Sequence, residues 1–151
     1  ELRNAMAIAD SISMAREVKP IETTDELKDA VSRFLPKGSE NKVLAQIFQA
    51  LRIEVNEEMK VLEIFLSQCA DVLNPGGRLV VLSYHSLEDR LVKNFMKTGN
   101  ADGNLEKDFF GNQLTPYKLM TSKPIVPSDD EIQMNSRARS AKLRVAERRG
   151  K

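Results

Sequence analysis

Through the first half of the chain, apolar residues recur every three or four positions, the spacing of helices buried along one face. Leu2, Met6, Ala9 and Ile12 set out the first helix, which Lys19-Pro20 ends because proline disfavours helix in the residue before it. Thr23 and Glu26 stand at capping-box spacing and open a second helix reaching to about Leu35, where Pro36-Lys37-Gly38-Ser39 breaks it. Val43, Leu44, Ile47, Leu51 and Val55 predict a third. Met59, Leu62, Phe65, Leu66, Cys69, Ala70 and Leu73 predict a fourth, closed by Asn74-Pro75-Gly76-Gly77. Four helices thus precede any strand.

The period then changes. Leu79-Val80-Val81-Leu82 is a continuous aliphatic run after a tight turn, the pattern of a strand buried on both faces in a parallel sheet. Ser86 and Asp89 are candidates to cap a fifth helix carrying Leu87, Leu91, Val92, Phe95 and Met96. Helix, turn, strand, helix is one slice of a doubly wound α/β fold. Thr98 to Pro116 has few apolar residues and reads as a long loop of the kind that often carries function. Tyr117 to Met120 and Ile125-Val126, interrupted by Pro124 and Pro127, allow at most an edge strand. Ser128 and Glu131 have capping-box spacing for a short helix. Finally, Ala141, Leu143 and Val145 alternate with Lys142, Arg144 and Ala146, which predicts a strand with one buried face and its basic side chains together on the other.

Composition narrows the class. With 151 residues, 41% of them hydrophobic and 30% charged, the chain fits a globular domain and is not polar enough for disorder. The net charge of +1 conceals an uneven placement, acids dominating Glu54 to Glu58 and bases crowding the last fifteen residues. Such a basic tail suits an anionic partner. The single cysteine, Cys69, excludes an intramolecular disulfide and reads as a buried, inert thiol in a reducing compartment. No run of about 18 apolar residues and no signal layout at Glu1-Leu2-Arg3-Asn4 point to a membrane or to secretion, so a cytoplasmic location is expected. The first helical pattern opens with neither a cap nor an initiating methionine, so the chain is expected to begin inside a longer protein. His85 is the only histidine, which argues against a zinc site. Ser83, Ser86, His85 and Asp89 crowd into one short turn without a nucleophile elbow, which argues against a serine hydrolase.

Three blocks carry a resemblance. Leu73-Asn74-Pro75-Gly76-Gly77-Arg78-Leu79-Val80-Val81 is similar to the turn and fifth strand of class I methyltransferases. Continued through Leu82-Ser83-Tyr84-His85-Ser86-Leu87-Glu88-Asp89-Arg90, it resembles the bacterial rRNA cytosine-N4 methyltransferase family called RsmH, formerly MraW. Phe48-Gln49-Ala50-Leu51-Arg52-Ile53 with Val55-Asn56, and the run from Asn135-Ser136-Arg137-Ala138-Arg139 to Glu147, match the same family in order. The resemblance implies the C-terminal part of a class I, Rossmann-like sheet. Residues 1–56 would belong to a helical insertion domain and residues 57–151 to the methyltransferase core. It further implies S-adenosyl-L-methionine as methyl donor and a cytidine of 16S rRNA in the small ribosomal subunit as acceptor. The family's glycine-rich cofactor loop lies upstream, and Gly76-Gly77 lacks the spacing of a nucleotide fingerprint, so no cofactor-binding residue is expected in this chain.

Ser83, Tyr84, His85 and Ser86 follow the apolar strand, and the tips of strands are where open α/β sheets place ligands. Tyr84 suits stacking on a flipped base, and His85 or Ser86 suits bonding to its edge or a phosphate. In the blander reading Ser86 only caps a helix and His85 satisfies a buried carbonyl. Arg52, beside Gln49 and Asn56, is a further candidate for the substrate side. Arg137, Arg139, Lys142 and Arg144 are candidates for RNA phosphates, with a charge-blunted edge strand as the alternative. The competing functional reading is a helical RNA-binding or interaction module without activity. If the aliphatic strand lacks its neighbours, a second copy or a rearranged helix is expected to cover its edge. On the strand-tip reading, His85→Ala in the full-length enzyme lowers methylation far more than it lowers stability; unchanged turnover would remove His85 from the site.

Overall fold

The computed structural model describes Leu2 and residues 4–150. Glu1, Arg3 and Lys151, which entered the readings of the opening segment and the basic tail, lie outside the described residues. The chain forms two compact units, Glu1–Asn56 and Glu57–Lys151.

The first unit is helical: α1 (Ala5–Val18), α2 (Thr24–Val31) with a 3₁₀ turn at Ser32–Phe34, and α3 (Glu40–Val55). Ile8, Val31, Leu44 and Ile47, one face of each helix, bury together and form its core. The capping box forms as its spacing predicts: Thr23 Oγ1 accepts from Glu26 N at 3.2 Å while Glu26 Oε2 accepts from Thr23 N at 3.0 Å. The Lys19 ammonium, with the Glu22 and Thr23 amides, holds the Glu26 carboxyl down at about 2.

The second unit packs α4 (Glu58–Val72) and α5 (Ser86–Thr98) on a sheet of β1 (Arg78–Ser83), β2 (Tyr117–Leu119) and β3 (Lys142–Arg148), with α6 (Asp129–Met134) and a 3₁₀ turn (Ser136–Ser140) leading into β3. The strand order is β1-β3-β2, and both pairings are antiparallel. This corrects the expected parallel pairing: β1 and β2 run parallel to one another but with β3 between them. Burial on both faces is corrected as well. Leu79 is buried, whereas Val80 and Leu82 are 54% and 49% exposed. Helices cover only the face that Leu79 and Val81 share.

Register then decides which face of β3 turns inward. Val80 pairs with Val145 and Leu82 with Leu143, so these four share the outer face. Leu79 pairs with Ala146, Val81 with Arg144 and Ser83 with Lys142 on the inner face. The basic side chains of β3 therefore face the helices, opposite to the sequence expectation. They are accommodated by Asp89 on α5, whose Oδ1 accepts from Arg144 Nε at 2.6 Å and whose Oδ2 accepts from Arg144 Nη2 at 3.2 Å and Lys142 Nζ at 3.1 Å. Both Asp89 and Arg144 are buried. Four residues further along β3, Arg148 Nε donates to the Ala70 carbonyl at 2.9 Å. The core beneath consists of Leu66, Cys69, Val92, Phe95, Met96 and Tyr117, and burial pushes the Cys69 thiol upward in pKa. Tyr117 Oη is buried without a partner among the described residues, and burial raises its hydroxyl to about 12.

Burial by itself acts to raise the Asp89 pKa; the bonds and charges of Arg144 and Lys142 together outweigh it and hold the carboxyl below its usual range. The carboxylate thus adds stability that is fully present above the unfolded value of about 4 and is lost as pH falls through the lowered folded value. Asp89→Asn, which leaves a buried guanidinium without its counter-charge, is expected to cost about 3–5 kcal/mol near neutral pH and to flatten the acid limb of the stability–pH curve. Urea unfolding at a series of pH values checks this, and an acid limb equally steep in the variant would exclude Asp89 as its source.

Candidate functional site

At the C-terminal end of β1 the chain turns directly into α5, and the turn is organised by His85. Its Nδ1 accepts from Glu88 N at 3.3 Å, while Glu88 Oε2 accepts from Tyr84 N at 3.0 Å and His85 N at 3.3 Å. This is a capping box with histidine as the cap. Ser86 is the first residue within the helix rather than its cap, and it is exposed. Because Nδ1 accepts, the neutral ring carries its proton on Nε2. That atom is buried and lies 3.3 Å from Glu88 Oε1, without the alignment of a hydrogen bond. A cap of this kind stabilises a helix by about 0.5–2 kcal/mol, so His85→Ala draws on folding as well as on any contact with a substrate. Ser83 is buried, and its hydroxyl donates to the Lys142 carbonyl at 3.4 Å.

Tyr84 is different. It follows Val80 and Leu82 on the outer face and is 57% exposed. Its ring borders a groove of about 630 Å³ between the sheet and the segment that precedes β3. The floor is apolar, made by Leu82, Leu143, Ile125 and Pro127. Ile125 is held there by a two-way backbone pairing with Leu143, 2.8 Å in each direction. The rim is polar, with Glu131, Asn135 and Arg137 facing the same space as Tyr84. Asn135 Oδ1 accepts from Arg137 N at 3.2 Å and so starts the 3₁₀ turn that sets the direction of Arg137. Ser128 caps α6 by accepting from Glu131 N at 3.2 Å. An aromatic ring, an apolar floor, amide and carboxylate acceptors and one guanidinium can together take a flat, polar-edged group attached to a phosphate.

The sequence candidates thus separate. Tyr84 and Arg137 meet at one groove, and Arg139 is exposed on the same 3₁₀ turn. Lys142 and Arg144 are engaged by Asp89, and Arg144 is buried, which removes it from any phosphate-binding surface. Arg52 belongs to the first unit, on the exposed side of α3. Sequence reasoning missed Glu131 and the Ile125–Pro127 wall. The only signal for either was the capping spacing before α6 and the Pro-bounded edge piece, neither of which says what the segment faces. The Gly76–Gly77 turn does not fit a nucleotide. Gly76 N donates to the Arg148 carbonyl at 2.9 Å and Gly77 N to the Asn74 carbonyl at 2.8 Å, so both amides are already engaged. A Cβ at Gly77 would meet the Asn74 carbonyl oxygen at 2.8 Å, which accounts for the second glycine by close packing alone.

Residues 1–149 match the MraW methylase family. Among curated proteins, the chain is 56% identical over 148 residues to the ribosomal RNA small subunit methyltransferase H of Flavobacterium johnsoniae, covering 98% of this chain and 49% of that protein. It is 58% identical over 149 residues to the protein of the same name from Flavobacterium psychrophilum, covering 99% and 51%. For Parabacteroides distasonis the identity is 54% over 148 residues, covering 98% and 48%. The chain spans about half the length of each of these relatives.

Proposed function

The chain belongs to the MraW methylase family, and on that footing we propose that it forms the acceptor-side part of an enzyme that methylates the N4 amine of a cytidine in small-subunit rRNA. The observation that carries this is the groove at the β1 tip, where an exposed Tyr84 ring stands over an apolar floor and faces Arg137. Tyr84 stacks on a base taken out of its stack. Glu131 and Asn135 accept from its exocyclic amine, the donor that distinguishes cytosine from uracil, and Arg137 holds a flanking phosphate. Arg139 extends the phosphate contact along the 3₁₀ turn. The methyl donor is S-adenosyl-L-methionine, and we assign its binding to the part of the relatives that this chain does not match; the engaged amides of Gly76 and Gly77 support that division. We read the second unit as the end of a class I, Rossmann-like sheet and the first as part of a helical insertion. In support, β1 pairs on one side only among the described strands, which leaves an edge on which a sheet can continue. By itself the chain is expected to hold RNA without turning it over.

Among the described residues no helix is long and apolar enough to cross a membrane. The proposed place of work is the ribosomal subunit.

A fusion of this chain to the unmatched half of the Flavobacterium johnsoniae relative tests the assignment, with transfer of labelled methyl from S-adenosylmethionine to small-subunit rRNA as the readout. The fusion is expected to be active. Tyr84→Ala lowers kcat/KM roughly ten- to a hundredfold, the worth of one stacked base, and Tyr84→Phe keeps most of it. A folded but inactive fusion points to the non-catalytic module instead, and full activity in Tyr84→Ala removes the groove from the reaction.

A further inference from the structure

The strand-tip groove leaves one well-built feature of the second unit without a role. Between α5 and β2 the chain folds a small hairpin whose arms meet at the Lys107–Gln113 bridge, with Leu114 N donating to the Glu106 carbonyl at 2.9 Å. Its tip closes around one carboxylate. Asp108 Oδ2 accepts from Asn112 Nδ2 at 2.8 Å, Oδ1 accepts from Asn112 N at 2.8 Å and Phe110 N at 2.9 Å, and Asp108 N donates to the Asn112 carbonyl at 2.9 Å. What this clamp displays is a pair of phenylalanines, Phe109 98% and Phe110 85% exposed, their rings edge to face with centroids 5.7 Å apart. Two adjacent large apolar side chains held in water are unfavourable, and an ordered turn that keeps them there points to a surface that covers them.

Charge at the base of the hairpin indicates what kind of surface. The Pro116 carbonyl accepts from Arg149 N at 2.8 Å and Arg148 Nη1 at 3.2 Å, and Arg149 Nε donates to the Tyr117 carbonyl at 3.0 Å. Arg148 is half-buried and turned inward, whereas Arg149 is exposed and meets only a neutral carbonyl, so its charge stays at the surface. Lys107 and Lys118 are exposed on the hairpin and on β2. Of the neighbouring acids, Asp108 sits inside its clamp and Glu147 pairs with Arg78 at 3.8 Å, which leaves Asp71 and Glu106. Bare aromatic faces beside a cationic strip are the two components by which proteins hold single-stranded nucleic acid. We propose that this hairpin is a second RNA contact, in which Phe109 and Phe110 stack on unpaired bases while the exposed Lys107 on the hairpin and Arg149 at its base hold the backbone. The proposal rests on RNA being the substrate. The hairpin leaves α5 at the end remote from the β1 tip, and the 13 residues of α5 span roughly 20 Å, so it meets a different stretch of RNA from the groove.

The test is anisotropy titration of the 151-residue chain with a labelled single-stranded RNA of about ten nucleotides and a duplex of similar length, comparing wild type with three double variants. Phe109→Ala with Phe110→Ala is expected to weaken single-strand binding roughly tenfold or more while barely changing duplex binding, whose bases are hidden. Phe109→Tyr with Phe110→Tyr restores it, because any aromatic face serves. Both pairs lie in water, so the thermal midpoint stays at the wild-type value. Single-strand affinity of the alanine pair within about twofold of wild type would overturn the proposal and turn attention to a protein partner for the tip. If Arg137→Ala with Arg139→Ala then still weakens binding, the groove reading stands and only the hairpin falls; if the wild type binds neither RNA, both fall.

Discussion

The second unit depends on one buried carboxylate. Asp89 sits on the first turn of α5 and takes three N–H donors from two side chains of β3, bridging 53 and 55 residues of chain. A buried guanidinium is tolerated only when its charge is answered and its donors are met, and a bidentate fork against a carboxylate does both. The consequence is positional. α5 begins immediately after the β1 tip, so tying its first turn to the start of β3 fixes the β1–α5 turn against the segment that enters β3. That puts Tyr84 on one side of the groove and Arg137 on the other.

Capping serves the same geometry. His85 and Glu88 satisfy the first amides of α5 locally, and the Glu88 carboxylate takes the amide of Tyr84 as well. The backbone of Tyr84 is therefore held by α5 while its ring extends outward over the groove. On the opposite wall, Asn135 performs the corresponding task for Arg137. A ring or a fork whose backbone is held in this way gives up less freedom on meeting a ligand than one that swings freely.

The sheet divides its labour by face. The inner face carries Leu79, Ala146 and Tyr117 into a core with α4 and α5, and it also takes in the basic row of β3. The outer face keeps Val80, Leu82 and Leu143 for the groove and for whatever covers the rest. At the far end of α5, Gly99 turns the chain with a φ of +84° where a Cβ would strike the Pro116 ring at 2.7 Å, and the hairpin departs from there. An exposed aromatic side chain thus stands near each end of one helix, Tyr84 before its start and the Phe109–Phe110 pair in the hairpin after its end.

Much of this was legible from local chemistry. Pro20, the Thr23–Glu26 and Ser128–Glu131 spacings, and the Asn74–Gly77 turn mark element ends through interactions within a few residues, and α1 to α5, β1 and β3 lie where those signals put them. The position of Tyr84 was legible because a residue just past an aliphatic strand sits at a strand tip whatever the rest of the fold does. The facing of β3 was not legible. Alternation defines two faces but says nothing about which is inward, and Leu143 and Val145 suggested the wrong one. The answer came from Asp89 on a distant helix, whose charge made the basic face the buried one. His85 displaced Ser86 as the cap because the phase at which a strand enters a helix is set by packing. The chain by itself determined the elements and the family they belong to. Only the tertiary structure decided which basic residues are exposed and which are buried against a carboxylate, because that depends on partners far apart in sequence.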